Sequence, residues 1–315
     1  MINIFYRLGS EIVFAQSETE FARLSRDSVL WIDLLDPSGE EKRATETFLG
    51  TEIQSRAQAE EIESSSRFSE SHDAIFANTN YISPEGDELG EDPVSFTLVD
   101  NILTTLREIP LRSFTSLQRR MLARPEQYKN GFYLFVAIMD QRVDLDADII
   151  ELMSKDTAQF GKRINQMEDI NEEFLLDINQ LQENTMVVRE NVVDKQRLIS
   201  NILKSGRFPD ELEGRLTVLL QDISSLINHT NFTFERLEYL QNTVVGLINL
   251  EQNNIMKIFT LVSVLLMPPT LVASFYGMNV PLPLMDKWWA WLLLLGVMLL
   301  TVCVVLYIFR RKKML

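Results

Sequence analysis

Seven residues between positions 253 and 274 are unusual in type and spacing. Asn253, Met256, Thr260, Ser263, Met267, Thr270 and Ser274 recur in steps of three and four. At about 100° per residue, such steps keep them on roughly a quarter to a third of a helix circumference. The residues around them are apolar: Ile258, Phe259, Leu261, Val262, Leu265, Leu266, Leu271, Val272 and Phe275. The strip offers amide and hydroxyl oxygens and two thioethers, and no charge. With no carboxylate ring it would not strip a divalent ion of water, but it can meet the ion's hydration shell. Mg²⁺ dehydrates reluctantly, so the chemistry that fits is a pathway for hydrated ions. Met256 and Met267 are then expected as apolar constrictions that gate by dewetting. Small polar residues also pack helices together in membranes. That reading accounts for Ser263 or Thr270 alone and less well for a continuous strip headed by Asn253. One helix encloses no pore, so a conduit requires a symmetric ring of copies.

Other chemistry is poorly supplied. The chain of 315 residues holds one cysteine, Cys303, so no internal disulfide and no cysteine-based metal site is expected. His72 and His229 are the only histidines, and neither stands in a catalytic context. No phosphate-binding loop, paired-glycine dinucleotide fingerprint or zinc-protease motif is found, and no residue set supports an enzyme. The composition, 46% hydrophobic and 24% charged, is that of a folded protein. The net charge of −15 argues against nucleic acid as a partner.

Two long apolar runs position the strip. Ile258 to Phe275 and Trp288 to Phe309 contain no charged residue, and a membrane-spanning helix needs about 20 such residues. Trp288, Trp289 and Trp291 read as an interfacial aromatic belt, and Arg310, Arg311, Lys312 and Lys313 place the tail in the cytoplasm. Residues 258–315 carry five basic residues and one acid, which leaves −19 on residues 1–257. Two spans bring the chain back to its starting side, so both termini are expected to be cytoplasmic in a plasma (inner) membrane. The first residues show no basic stretch leading into an apolar one, and no signal peptide is expected.

The front of the chain reads as an α/β layer. Strands are expected over Asn3–Arg7, Val29–Leu35, Ala74–Ile82, Val94–Val99 and Ile102–Arg107, and helices over Glu40–Leu49 and Glu52–Glu63. Asp100-Asn101 reads as a hairpin turn. From about Asn130 to Phe275 the chain reads as helical, with breaks near Asn165–Asn171 and Gly206–Asp210. Leu212, Leu216, Leu219, Ile223, Leu226, Leu237, Leu240, Val244 and Leu247 keep one 3,4 spacing, with Thr230 and Thr233 in the gap. That seam predicts a single stalk helix from Glu211 to Phe275, roughly 100 Å long at 1.5 Å per residue. The domain boundaries that follow are an α/β domain over 1–125 and a helical region with stalk over 126–257. A first span over 258–275, an external loop over 276–287, a second span over 288–309 and a basic tail over 310–315 complete the chain.

The first span ends in Tyr276-Gly277-Met278-Asn279. This resembles the signature of the CorA family of magnesium and cobalt transporters, and Glu251 to Asn279 is similar to the first membrane helix of its proteobacterial branch. Weaker similarity reaches Trp31-Ile32-Asp33-Leu34 and Ile62 to Phe68. The resemblance implies a funnel-shaped homopentamer in a lipid bilayer, with the first span lining the pore and the second forming an outer ring. It implies that Gly277, Met278 and Asn279 form the outer mouth, where asparagine carbonyls meet a hydrated cation. It also implies that Asn253 forms a ring near the cytoplasmic end and that Met256 and Met267 mark the narrow stretch, with Thr270 above them. The loop departs from the family's acidic pattern: Val280 to Lys287 contains only Asp286 as an acid, beside Lys287.

Family members are held closed by Mg²⁺ bound between cytoplasmic domains. Asp222 on the stalk is the one candidate ligand named for such a site, besides Asn279 at the mouth. The acidic front suits that mechanism. Facing surfaces bearing pairs such as Glu60-Glu61, Glu168-Asp169 and Glu172-Glu173 repel unless divalent cations neutralise them. The expected function is therefore a Mg²⁺ channel, also passing Co²⁺ or Ni²⁺, with no organic cofactor. A zinc transporter of the ZntB branch shares the fold, and that branch often replaces the signature methionine present here. A membrane-tethered structural or sensory protein is the reading from another class, in which the strip merely packs helices.

Overall fold

The computed structural model describes residues 1–54, 67–86, 88–167, 170–278 and 287–311. The chain divides into two compact units, Met1–Gln241 and Asn242–Leu315. The first is built on seven strands: β1 (Ile2–Leu8), β2 (Glu11–Ala15), β3 (Val29–Leu35), β4 (Phe68–Glu70), β5 (Ala74–Glu85), β6 (Glu88–Val99) and β7 (Ile102–Arg107). They form one sheet in the order β2-β1-β3-β7-β6-β5-β4. Only β3 and β7 pair in parallel, with Trp31 opposite Leu103. Both strands are buried on both faces, including the polar Asp33, Thr104, Thr105 and Arg107.

The strand period of two sorts side chains onto two faces. Ile2, Ile4, Ile32, Leu34, Val99 and Ile102 point to one face, which α1 (Gly39–Leu49) covers through Leu49. Phe5, Trp31, Ala77, Tyr81, Phe96 and Leu103 point to the other, against the longer helices. Those helices are α2 (Arg112–Ala123), α3 (Gly131–Gln166), α4 (Glu172–Ser205) and α5 (Asp210–Tyr276). The final helix, α6 (Ala290–Arg311), belongs to the second unit.

Local chemistry sets the ends of these elements. Ser38 and Glu41 form a reciprocal capping box at the start of α1, and Gly50 closes it at φ 70°. Asn130 caps α3 by accepting from the backbone N–H groups of Phe132 and Tyr133. Gly131 follows because a Cβ there would stand 2.4 Å from the Leu103 backbone nitrogen. The β6–β7 hairpin turns at Asp100, whose φ is 52°, as the Asp100-Asn101 dipeptide predicts.

The five expected strands are present, some longer than expected. Helix α3 ends at Gln166 and α4 starts at Glu172, and α4 ends at Ser205 with α5 starting at Asp210, where the sequence places the breaks. Three elements went unread: β2, β4 and α2. Strand β2 follows a Gly9-Ser10 turn with Gly9 at φ 64°. Strand β4 has three residues, too few to show a period. Helix α2 lacks a side-chain N-cap, although Phe114, Leu117 and Met121 keep helical spacing. Of the helix expected over Glu52–Glu63, residues 52–54 are irregular and the remainder lies outside the described residues.

The stalk seam is buried as the spacing predicts. Leu212, Leu216, Leu219, Ile223, Thr230, Thr233, Leu237, Leu240 and Val244 are all buried. The two threonines fit because their hydroxyls donate to their own helix: Thr230 Oγ1 lies 2.9 Å from the Ile227 carbonyl and Thr233 Oγ1 3.0 Å from that of His229.

Candidate ion pathway

The strip lies on the C-terminal part of α5, on the second unit. All seven of its residues, Asn253, Met256, Thr260, Ser263, Met267, Thr270 and Ser274, are exposed. The half-buried residues of the same stretch are Leu261, Val264, Leu265, Pro268, Pro269, Val272 and Tyr276. At about 100° per residue these centre on a direction roughly 150° from the strip. The helix therefore has one half-buried apolar face and leaves the polar strip bare on nearly the opposite side, together with Phe259, Val262, Leu266, Leu271 and Phe275. Helix α6 has one half-buried face of its own, with Leu294, Met298, Val302, Val305 and Phe309.

The hydroxyls on the strip are oriented by the helix. Thr260 Oγ1 donates to the Met256 carbonyl at 2.7 Å, and Thr270 Oγ1 donates to that of Leu266 at 2.7 Å. A hydroxyl has one proton and two acceptor lone pairs. With the proton committed to the backbone, each threonine presents oxygen acceptors outward, the polarity a cation's water shell requires of a second shell. This orientation has no signature in the residue types and was not read from the sequence. Met256 and Met267 stand on the same face with 62% and 67% of their surface exposed, so both thioethers project from the strip.

Counting back from Asn253 in the same steps leads to Asn249, Gly246, Asn242, Tyr239, Glu235, Phe232, Asn228, Ser225, Gln221, Val218 and Gly214. Each of these is exposed as well. Val218, Phe232 and Tyr239 are large residues, 56%, 62% and 68% exposed. The buried stalk seam was legible in the sequence, while this second, uncovered row was not, because its apolar residues are sparse.

The end of the helix brings the signature into view. The Gly277 N–H donates to the Ala273 carbonyl at 2.9 Å and that of Met278 to Phe275 at 3.4 Å. Gly277 is not among the left-handed glycines. Its constraint is a close approach: a Cβ would stand 3.2 Å from the Ala273 carbonyl oxygen. Met278 is 48% exposed. Asn279 and the loop from 280 to 286, Asp286 included, lie outside the described residues, as do Glu60-Glu61, Glu168-Asp169 and the last four residues. Pro268 and Pro269 lie inside α5. Without N–H groups they leave the carbonyls of Val264 and Leu265 unmatched within the helix, on its half-buried side rather than on the strip.

Asp222 lies in a surface groove between α3 and α5, lined also by Asp140, Asp144, Arg215 and Val218. Arg215 pairs with Asp140. Burial nonetheless pushes the Asp140 carboxyl above the usual range, against the pull of Arg215 and helped by the charges of Asp144 and Asp222. Among the described residues of one chain, no group of three or more His, Cys, Asp or Glu side chains is placed to hold a metal ion.

The sequence matches the family model for CorA-like Mg²⁺ transporter protein over residues 26–311. It is 33% identical over 319 residues to magnesium transport protein CorA of Wolinella succinogenes, with 99% of both chains covered. It is 32% identical over 255 residues to magnesium transport protein CorA of Escherichia coli K12, covering 80% of this chain and 81% of the relative. Among solved structures, the complete CorA magnesium transporter from Methanocaldococcus jannaschii superposes with a TM-score of 0.82 at 18% identity, covering 99% of this chain and 98% of that one. At that identity the last likeness speaks for the fold alone.

Proposed function

Because the chain belongs to the CorA-like Mg²⁺ transporter family, we propose that it is a membrane channel that passes hydrated Mg²⁺ down its gradient, with Co²⁺ and Ni²⁺ as further cargo. The observation that carries this reading is the bare, uncharged strip from Asn253 to Ser274, set nearly opposite the half-buried face of its own helix. An exposed row that continues in phase to Gly214 supports a ring of copies around one axis, with α5 innermost. Five is the number the family resemblance supplies. The ring stands in a plasma membrane on two spans, with both termini in the cytoplasm.

In this reading the ion meets Asn279, Met278 and Gly277 at the outer mouth. It then passes Ser274, Thr270, Met267, Ser263, Thr260 and Met256 and leaves by Asn253. The threonine oxygens accept from the water shell, so the ion need not be stripped. The thioethers of Met256 and Met267 are poor partners for water. When the ring narrows, a short apolar stretch there empties of water and stops conduction.

Cytoplasmic Mg²⁺ closes the channel by bridging carboxylates of neighbouring copies. Asp222, with Asp144 exposed in the same groove, would supply one side of such a site. Since one chain brings no complete metal cage among its described residues, the other side comes from the adjacent copy. Falling Mg²⁺ then lets the acidic faces repel and the ring widen.

The test is flux into liposomes that hold a Mg²⁺-sensitive dye. The intact chain should pass Mg²⁺ under an imposed gradient, and Asn279→Ala should abolish it. Zn²⁺ flux without Mg²⁺ flux would assign the chain to zinc transport. Silence toward both ions in a correctly assembled protein would leave a structural role.

A further inference from the structure

The first unit carries a charge contrast across its sheet. The segment 112–124, α2 and the residue after it, holds Arg112, Arg119, Arg120 and Arg124 and no acid, in a chain whose net charge is −15. Helix α2 buries Phe114, Leu117 and Met121 against the sheet, and all four arginines are exposed. Arg120 reaches Gln141. Among the described residues, the side chains of Arg112, Arg119 and Arg124 have no ion-pair or hydrogen-bond partner. A cluster of unpaired guanidinium groups on one side of a helix is a ready surface for carboxylates.

The acidic counterpart lies on the β5–β6 hairpin of the same sheet. Among the described residues, the start of β6 contains Glu88, Glu91 and Asp92 and no basic residue. Glu88 and Glu91 are exposed. Strand β7 pairs with β6 only from Ser95 onward, so the arm Glu88–Val94 runs past its neighbour with one edge open. Pro93 and the acids on that stretch oppose edge-to-edge strand pairing, which leaves side-chain charge as the means of contact. Helix α2 packs on β2 at one end of the strand order, and its Phe114 ring also lies 5.9 Å from those of Trp31 on β3 and Tyr81 on β5.

Resting on the ring reading above, we propose that the arginine face of α2 in one copy docks on the acidic β5–β6 hairpin of the next copy. A two-fold contact would satisfy both patches only if they met reciprocally across one shared face. They suit a head-to-tail interface, which closes into a ring when the rotation per subunit allows. Charge pairs of this kind set orientation and register more than strength. The contact therefore gives the ring a direction and excludes copies that approach with like faces.

Cross-linking tests it on the full chain in a Cys303→Ser background. Arg119→Cys combined with Glu88→Cys, treated with a short bismaleimide, should give a ladder of covalent oligomers on a denaturing gel, and each single variant should give none. Adding Arg112→Glu and Arg124→Glu should lower the yield several-fold, as should salt at about 1 M, where the screening length falls to roughly 3 Å. A chain that is oligomeric by light scattering yet forms no ladder would overturn this interface and leave the ring standing. A ladder insensitive to both charge reversal and salt would overturn its electrostatic basis. A monomeric chain would overturn the ring and the interface together.

Discussion

The unit Met1–Gln241 buries charge in the paired networks below, whereas the spans of the unit Asn242–Leu315 carry no charge and leave their polar oxygens bare. In the first unit Asp33 is fully buried. Arg107 Nη2 donates to it at 2.8 Å and Arg107 Nε at 3.1 Å, Thr105 Oγ1 donates at 2.9 Å, and Gln118 Nε2 reaches it at 3.2 Å. Trp31 Nε1 in turn donates to Thr105 Oγ1 at 2.9 Å, and the Arg107 guanidinium lies 4.6 Å from the centre of the Phe114 ring. Fully satisfied networks of this kind rigidify a core. In the second unit Thr260 and Thr270 keep their hydroxyl protons on their own backbone and turn the oxygens outward. The contrast teaches that polar atoms hold an architecture when every partner is fixed, and serve a moving ion when one side is left open.

A second buried network is held mainly by charge, with Arg142 Nε and the Tyr81 hydroxyl left without a hydrogen-bond partner among the described residues. Lys195 and Asp146 are both fully buried, with Lys195 Nζ 3.0 Å from Asp146 Oδ2. Arg142 pairs with Asp146 and lies over the Tyr81 ring at 4.8 Å. Lys195 also donates to Asn191, whose amide donates to the Asn80 carbonyl at 3.0 Å and to Glu91 at 3.1 Å. Two cations share one buried carboxylate here. Burial pulls the Lys195 ammonium down to about 8, against the attraction of Asp146.

The largest predicted effect comes from breaking a buried pair. Asp33→Ala leaves Arg107 charged and uncompensated in the core and should destabilise the protein by about 3–5 kcal/mol, read from thermal or denaturant unfolding. A loss under about 1 kcal/mol would mean that the network holds little of the fold. Next is the pH response of Lys195. Its folded pKa lies below the unfolded value, so below pH 8 the folded state bears the full cost of keeping the ammonium buried. Stability should rise between about pH 8 and 10.4 by on the order of 3 kcal/mol, and Lys195→Met should flatten that rise. A wild-type profile unchanged by the substitution would assign the pH response elsewhere.

Smaller in stability but decisive for the strip is Thr260→Val combined with Thr270→Val. Both residues are exposed and bond only within the helix, so unfolding should shift by less than about 1 kcal/mol. Mg²⁺ flux should nevertheless fall several-fold, because the outward oxygens are gone. Unaltered flux would erase the difference between the two units. The smallest effect belongs to the exposed pair Glu151–Lys155, 2.7 Å apart on α3. Lys155→Ala should leave thermal unfolding almost unchanged, and any small loss should fade with salt.

Much of this was legible where a period and a chemical type coincide. Leu212 to Val244 declared a buried seam because each residue is apolar and spaced three or four apart. The strip stood out as polar residues in an apolar run. Val29–Leu35 and Ile102–Arg107 showed as strands from runs bounded by Gly, Pro, Asn and Asp. Long-range partners leave no such trace. Asp33 looked like one acid in a strand until Arg107, more than seventy positions away, was placed against it. Lys195 and Asp146 sit on separate helices amid other charges, and nothing local marks them as buried. The arginines of α2 went unweighed because the net charge of the chain hides a local excess of the opposite sign. The exposed row from Gly214 to Asn253 escaped notice for a similar reason, since glycine, serine and asparagine interrupt its few large residues.

Thiol accessibility along α5 tests the central claim most directly. In a Cys303→Ser background, cysteine is placed on the strip as Ser263→Cys or Thr270→Cys, and on the half-buried side as Val264→Cys or Leu265→Cys. Mg²⁺ flux is then followed as a charged, water-soluble thiol reagent is added. Block of flux at 263 and 270, with none at 264 and 265, is the predicted result. Equal block on both sides, or block at 264 and 265 alone, would contradict a pathway along the strip.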